Sequence, residues 1–353
     1  DNEWRDDNVH VASPCRIGKP KAVYAPDYLA WLRRIRPDVV IFNEQHWLPP
    51  VLWTRAAGVR TVAYVDYYTW KTVPSFEWYD ALVCNTRRHA SVFDWHLGNH
   101  YVPWGTDVER YRPSVRPLRP VTFLHSAGWD PARKGTEQVL RSWLALRPGT
   151  RLVLHSQADI SALVSVYPCS EALARGDLTV LSGTMPPEEL YALGDVYVYP
   201  THLEGIGLTV PEAVASGLPV IVPNDGPMNE FCLDGVSIRV PVVRRYRRND
   251  GYFWPCNDVG QDDLTDAMAG FAGADAHEVA RWQEVCRQAA LTHFDWSVNA
   301  AGLSDLLQGV RLRHVDRAIT DTGGRVHPAA AKAMSWAGHV AARFFGARLV
   351  SEG

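Results

Sequence analysis

The 353-residue sequence lacks several features that define common functional classes. No run of residues approaches the roughly 20 apolar positions of a transmembrane helix, and we predict no signal peptide ahead of the first domain. The net charge of -3 gives no basic field of the kind that holds a protein on nucleic acid. The six cysteines lie far apart, without a Cys-x-x-Cys pair or the histidine spacing of a zinc site. The sequence therefore argues against nucleic-acid binding and a zinc site, and it predicts reduced thiols in a cytoplasmic protein.

Short apolar runs rich in β-branched residues alternate with helical patterns along most of the chain. This alternation predicts βα units and parallel sheets rather than a sandwich. A segment with three prolines, Pro113, Pro117 and Pro120, interrupts it, because proline removes backbone donors and resists both helix and sheet. We therefore predict a first domain over residues 1–109, a linker over 110–120 and a second domain over 121–305, followed by a helical extension over 306–353. The predicted strands span residues 39–43, 59–65, 81–84, 100–103, 121–125, 151–155, 178–181, 195–200 and 219–223.

A glycine-rich turn follows the predicted strand that ends at Pro200. Gly205 and Gly207 form a Gly-x-Gly pattern, and a helix is expected to begin around Pro211. Ligands of open parallel sheets bind outside the carboxyl ends of the strands, and free amides at such a turn suit a phosphate. The turn is therefore a candidate phosphate cradle, made of Gly205, Ile206, Gly207 and Leu208.

Two glutamates flank this turn, Glu204 just before the glycines and Glu212 in the first turn of the helix. Glu212 is placed to accept hydrogen bonds from ribose hydroxyls, as acidic residues do in dinucleotide sites. The alternative is structural: the glycines allow a tight turn, and Glu212 complements the helix dipole.

A second loop, residues 125–136, also joins a predicted strand to a helix, and it contains Gly128, Arg133 and Lys134. Cations at this position would neutralise the charge of a departing nucleoside diphosphate. The alternative is a solvated pair at the start of a helix. That alternative is weakened because positive charge is unfavourable at a helix N-terminus.

The stretch over residues 200–224 resembles the Glu-x7-Glu signature of the family-four retaining glycosyltransferases, with Glu204 and Glu212 as its two glutamates. Further likeness lies in Lys134-Gly135 and, less specifically, in residues 102–107, 181–190 and 293–296. The resemblance implies an α/β fold of the GT-B type, with two Rossmann-like doubly wound domains facing a central cleft. The first of these domains looks shortened and would hold the acceptor, whereas the second would bind the nucleotide sugar.

The resemblance also implies roles for individual residues. Lys134, assisted by Arg133, would hold the diphosphate together with the amides of the glycine turn. Glu212 would bind ribose and Glu204 would contact the donor sugar. The remaining donor-binding residues are Gly128, Thr184 and Met185, the last two beside the base. No metal and no cofactor are expected besides the nucleoside-diphosphate sugar itself.

Two positions depart from the family pattern. Many relatives have an arginine directly after the glycine that here is Gly128, and this sequence has Trp129 there, so that Arg133 is the substitute. Many relatives have a histidine after the strand that here ends before Asp66. We nominate Asp66 as a second catalytic residue, in contact with the acceptor or the donor sugar. The histidines at strand ends, His125, His155 and His202, are interpreted as hydrogen-bonded structural residues.

The sequence thus predicts a metal-independent retaining glycosyltransferase that acts on a saccharide or glycolipid acceptor in polysaccharide biosynthesis. Two alternatives stay open: a non-catalytic nucleotide-sugar-binding or scaffold subunit, and an epimerase or phosphorylase of the GT-B fold. An amphipathic helix is predicted over residues 329–349. It is expected to pack on the first domain, with peripheral contact at the inner face of a membrane as the alternative.

Overall fold

The computed structural model describes residues 23–43, 45, 47–114, 120–146 and 149–313. Contacts divide the chain into two compact units. The first unit consists of the described residues within Asp1–Cys84, Val92–His100 and Leu303–Gly353, and the second of those within Asn85–Ser91 and Tyr101–Gly302. The boundaries predicted at residues 109, 121 and 305 stay predictions, and the helix predicted over 329–349 lies outside the described residues.

Alternating strands and helices make up both units. The strands are β1 Val39–Asn43, β2 Arg60–Val65, β3 Ala81–Cys84, β4 Asn99–Tyr101, β5 Thr122–Ser126, β6 Arg151–Ser156, β7 Leu178–Ser182, β8 Val196–Val198, β9 Val220–Pro223, β10 Ile238–Val240, β11 Val242–Tyr246 and β12 Cys256–Val259. The helices are α1 Ala25–Ile35, α2 Pro49–Ala56, α3 Arg87–Val92, α4 Thr136–Leu146, α5 Ser161–Ser165, α6 Ser170–Arg175, α7 Pro187–Tyr191, α8 Thr209–Ala215, α9 Gln261–Ala272, α10 Ala276–Ala289, α11 Trp296–Asn299 and α12 Leu303–Gly309.

The first unit is built on a four-stranded sheet in the order β1-β2-β3-β4. The pairs β1·β2 and β2·β3 are parallel. Every residue of β3 is buried, whereas Val40 and Phe42 of β1 are buried between exposed or half-buried neighbours. The alternating burial of β1 fits an edge strand that is covered on one face. The full burial of β3 fits an inner strand that is covered on both faces.

A buried carboxylate fastens the end of the described chain to the first unit. Asp80 Oδ1 accepts hydrogen bonds from the Arg55 guanidinium at 2.5 Å and from the Arg313 amide at 2.7 Å. Asp80 Oδ2 accepts from the Thr61 amide at 2.8 Å. A buried carboxylate without hydrogen-bond partners would destabilise the fold. The Arg313 amide therefore helps to hold the segment after α12 against Asp80.

The second unit is built on a six-stranded sheet in the order β10-β9-β8-β5-β6-β7. All neighbouring strands in it pair in parallel. The chain adds β6 and β7 on one side of β5 and then crosses to add β8 on its other side. The strand order therefore reverses between β5 and β8, the place where open α/β sheets bind their ligands.

Strands β5, β8 and β9 are buried at every residue, as expected for a parallel sheet with helices on both faces. Val139, Leu140 and Trp143 form an apolar stripe on α4 and are buried in the core of this unit. The predicted α/β class, with Rossmann-like parallel sheets in two units, is confirmed. Among the described helices, none is both long enough and apolar enough to cross a membrane.

Candidate functional site

Two loops meet where the strand order reverses. The cation loop, residues 127–135, follows β5, and the glycine loop, residues 199–208, follows β8. The His202 amide donates to the Arg133 carbonyl oxygen at 2.8 Å, and the Arg133 guanidinium donates to the Leu203 carbonyl oxygen at 2.7 Å. The two loops predicted to act together are therefore bonded to each other within one unit.

Glu204 is the centre of this contact. Its Oε1 atom accepts from Lys134 Nζ at 2.5 Å, from the Arg133 guanidinium at 3.0 Å, from the Thr201 hydroxyl at 2.8 Å and from the Tyr199 hydroxyl at 2.9 Å. Burial favours a raised pKa for Glu204, but the charges of Lys134 and Arg133, with the hydrogen bonds, outweigh it and lower the pKa. The carboxylate is therefore anionic at neutral pH and joins both predicted cations.

Lys134 is as enclosed as Glu204, since both side chains are 12% exposed. Its ammonium group donates to the Tyr199 hydroxyl and lies 4.9 Å from the centre of the Tyr199 ring. Burial lowers the pKa of Lys134, and the attraction of Glu204 opposes that shift. In such a poorly solvated site an anion interacts with the lysine more strongly than it would in water.

The glycine loop offers backbone donors. Within the described parts of the chain, the amides of Gly205, Ile206, Gly207 and Leu208 have no hydrogen-bond acceptor. Gly207 has a φ of +78°, a conformation that suits glycine, and α8 begins two residues later. Successive free amides before a helix form a concavity that binds anions.

The cation loop differs in this respect. The amides next to α4 already have acceptors, because the Lys134 amide donates to Asp130 O at 3.1 Å and the Gly135 amide to Ala132 O at 3.2 Å. Beside α4 the cation loop therefore presents side-chain charge, whereas the glycine loop presents free amides. The roles predicted for both loops in binding a diphosphate stay predictions.

Glu212 lies in the first turn of α8, which begins at Thr209 rather than around Pro211. Its Oε2 atom accepts from the Tyr191 hydroxyl at 2.8 Å. Burial raises the pKa of Glu212, and hydrogen bonds from Tyr191 and Tyr111 oppose the shift. The ribose role and the helix-dipole role of this residue both stay predictions.

The other predicted donor-binding residues lie at neighbouring strand ends. The Gly128 carbonyl oxygen accepts from the Gln157 amide at 2.9 Å, and the Gln157 side chain donates to the Thr184 hydroxyl at 3.4 Å. Thr184 is exposed, whereas Met185 is half-buried against the core. Gly128, Thr184 and Met185 therefore share the carboxyl edge of the sheet with the two loops.

Asp66 follows β2 directly and is half-buried in the first unit. It lies in a different unit from Glu204. Its predicted role in contact with the acceptor or the donor sugar stays a prediction.

The three histidines at strand ends bond to backbone carbonyls, which confirms their structural interpretation. Burial lowers the pKa of His125 to about 4, so that its ring is neutral at neutral pH. The three hydrogen bonds are His125 to Val198 O at 2.8 Å, His155 to Gly183 O at 2.9 Å and His202 to Asn257 O at 2.8 Å.

Among the residues that the structure covers, no group of three or more His, Cys, Asp or Glu side chains could hold a metal ion.

Sequence reasoning missed His89, whose Nε2 atom lies 3.0 Å from the Gly205 carbonyl oxygen. The segment Asn85–Ser91 follows β3 of the first sheet, so its position in the chain gave no sign that it packs in the second unit. Tyr199 and Thr201 were also missed as partners of Glu204. Their position beside Pro200, at the end of a strand, was the available signal.

The chain is similar in sequence to known glycosyltransferases. Residues 120–269 match the family model of glycosyl transferases group 1. The GDP-mannose-dependent alpha-(1-6)-phosphatidylinositol monomannoside mannosyltransferase of Mycolicibacterium smegmatis is 28% identical, over 64% of this chain and 60% of the relative. The GDP-mannose-dependent alpha-mannosyltransferase of Corynebacterium glutamicum is 27% identical, over 67% of this chain and 55% of the relative. The chain thus spans less than two thirds of the length of either relative.

Solved structures support the GT-B fold. Sucrose-phosphate synthase from Thermosynechococcus elongatus superposes with a TM-score of 0.62 at 17% identity, over 80% of this chain and 77% of that chain. Anabaena HepE, solved in complex with UDP and glucose, superposes with a TM-score of 0.60 at 14% identity, over 80% of this chain and 81% of that chain. The fold is therefore GT-B, and the matched family domain contains both loops of the site.

The contact between the two loops predicts a requirement for glycine at residue 135. Gly135 and Gly176 both have positive φ, at +72° and +73°, but only at Gly135 would an added Cβ meet backbone, 2.6 Å from Pro200 O. Both alanine variants carry the strain of a left-handed residue, about 1–2 kcal/mol. Gly135→Ala should lose about 1–3 kcal/mol more than Gly176→Ala in free energy of unfolding, measured by urea denaturation. Equal losses would show that the loops are not in tight contact at this point.

Proposed function

We propose that this chain carries the donor site of a metal-independent retaining glycosyltransferase, which transfers a sugar from a nucleoside diphosphate to a saccharide or glycolipid acceptor. One observation carries the proposal. Four unpaired amides lie beside an Arg133–Lys134–Glu204 cluster at the reversal of strand order, within the described second unit. This combination suits a ligand with both a diphosphate and a polar group that can bond to a carboxylate.

The diphosphate takes the amides of Gly205 to Leu208 and the charges of Arg133 and Lys134. When the sugar bond breaks, negative charge grows on the departing diphosphate. Fixed donors that already surround this position stabilise the charge without reorganisation during the reaction. The protein thereby supplies charge neutralisation from its own side chains and backbone, so that no metal ion is required.

The donor sugar contacts Glu204. All four hydrogen bonds to this carboxylate reach Oε1, and Oε2 has no partner among the described residues. Oε2 is therefore available to accept a sugar hydroxyl while Oε1 remains bonded to the cations. In the same pose Glu212 accepts the ribose hydroxyls, and Thr184 and Met185 lie beside the base.

GDP-mannose is the first donor to test, because two relatives are named as GDP-mannose-dependent mannosyltransferases. One of them is named for a phosphatidylinositol monomannoside acceptor, which favours a glycolipid as the first acceptor class. Released GDP and a glycosylated acceptor would support transfer. Tight binding of the donor without any product would instead support a non-catalytic subunit.

Two substitutions should separate binding from turnover. Lys134 meets the diphosphate in both donor and product, so Lys134→Ala should weaken GDP binding about 10- to 150-fold, the range for a charge-assisted hydrogen bond. Glu204 meets the sugar, which GDP lacks, so Glu204→Gln should leave GDP affinity within about twofold and lower kcat. Calorimetry with GDP and initial rates at saturating donor measure both quantities.

The matched control for this experiment is Arg175→Ala, which removes a cation from an exposed pair with Glu171 at the end of α6. It should change neither quantity. Wild-type GDP affinity in Lys134→Ala would contradict the role of the cation loop. Full turnover in Glu204→Gln would make Glu204 a structural residue that only organises the turn.

Retention of the anomeric configuration is a separate prediction. It is proposed from the resemblance of residues 200–224 to the retaining family. Proton NMR of the product in the first minutes of reaction should show the same anomeric configuration as the donor sugar. An inverted product would exclude the retaining mechanism while leaving the diphosphate site intact.

A further inference from the structure

We infer that His89 is a positioning residue of the donor site, which holds the glycine loop in the conformation that presents its amides to the diphosphate. The inference rests on the proposed function. It adds a residue from outside the matched family domain and from outside both loops.

The contact itself fixes the direction of one peptide group. His89 Nε2 lies 3.0 Å from the Gly205 carbonyl oxygen, and because a carbonyl only accepts, Nε2 carries the proton. In a planar trans peptide the C=O and the next N–H point in opposite directions. With the Gly205 carbonyl directed to His89, the Ile206 amide is directed away from the imidazole.

Burial keeps this donor uncharged. His89 is 1% exposed, and burial lowers its pKa to about 4, with the Gly205 hydrogen bond opposing the shift and Arg88 adding to it. The imidazole is therefore neutral at neutral pH. It orients the loop through one hydrogen bond, without adding a third cation beside Arg133 and Lys134.

The histidine is itself held firmly. The Thr86 hydroxyl accepts from the His89 amide at 3.0 Å. Glu230 accepts from the amides of Arg87 at 2.7 Å and Arg88 at 2.9 Å. These bonds fasten the start of α3, so that the imidazole meets the loop from a fixed backbone.

The Arg88 side chain adds a second attachment. Its guanidinium lies 4.1 Å from the centre of the Trp254 ring and 3.4 Å from Asp225. It is 7% exposed, so the pair is poorly solvated. Segment Asn85–Ser91 thus contacts the rest of the second unit at three places: Glu230, the Asp225–Trp254 pair and the glycine loop.

The test compares three side chains at position 89. His89→Leu removes the donor and should weaken GDP binding about 3- to 10-fold, as expected for the loss of one buried hydrogen bond. His89→Gln places an amide donor near the position of Nε2 and should bind GDP within about twofold of wild type. His277→Leu, a substitution of an exposed histidine in α10, is the matched control and should bind as wild type does.

Guanosine supplies the readout that a general structural role would not predict. It lacks phosphates, so its affinity should be equal in wild type and His89→Leu, whereas a disordered site would bind both ligands more weakly. Melting temperatures confirm that each variant is folded. If His89→Leu does not fold, His89→Asn replaces it, because the asparagine side chain is too short to bring its amide to Gly205 O.

Three results would overturn the inference. Equal GDP affinity in wild type and His89→Leu rejects the role of His89 and leaves the proposed function standing. An equal loss in His89→Leu and His89→Gln assigns the effect to packing and not to the hydrogen bond. Absence of GDP and UDP binding by the wild type rejects the proposed function, and this inference with it.

Discussion

The carboxylate of Glu204 lies against two cations and two hydroxyl groups, and the rest of the site is arranged around this cluster. Lys134 and Glu204 are each 12% exposed, so neither charge is well hydrated. Two such charges are tolerable only because they neutralise each other and because Thr201 and Tyr199 complete the hydrogen bonding. The cluster keeps positive charge in an enclosed place where an isolated lysine would be costly.

The polar groups of the site are of two kinds, and they come from the loops that follow two neighbouring strands. The loop after β5 presents side-chain cations, and its Arg133, Lys134 and Gly135 amides already have acceptors, whereas the loop after β8 presents free amides and the carboxylate. The Rossmann-like sheet brings them together because strand order reverses between these two strands. Most of the donors are therefore in place before a ligand arrives, which reduces the ordering that binding requires.

The sequence alone was sufficient for features that depend on local order. The Gly205–Gly207 turn, its flanking glutamates and the Lys134-Gly135 pair follow strands, and parallel strands bring their carboxyl ends to one edge. The helix expected around Pro211 begins at Thr209, so that Pro211 lies in its first turn, where a proline is well tolerated. The histidines at strand ends were correctly interpreted because a buried imidazole needs partners.

Contacts between segments distant in the chain could not be predicted in this way. Position 89 lies more than 100 residues before the glycine loop and follows a strand of the other sheet, and its hydrogen bond spans a separation of 116 residues. Likewise, no local pattern around Arg313 indicates that its amide meets Asp80. Such pairings depend on the path of the chain through the two units, and hydrophobic periodicity does not encode that path.

Hydrogen exchange of the wild-type protein, with and without GDP, shows whether the glycine loop binds the diphosphate. We expect GDP to slow exchange at the amides of residues 205–208, which have no acceptor among the described residues. The amides of Lys134, Gly135 and Thr136 already have acceptors and should exchange at the same rate in both conditions. Unchanged exchange at 205–208 while GDP binds and protects another part of the chain would rule out the glycine loop as the diphosphate site.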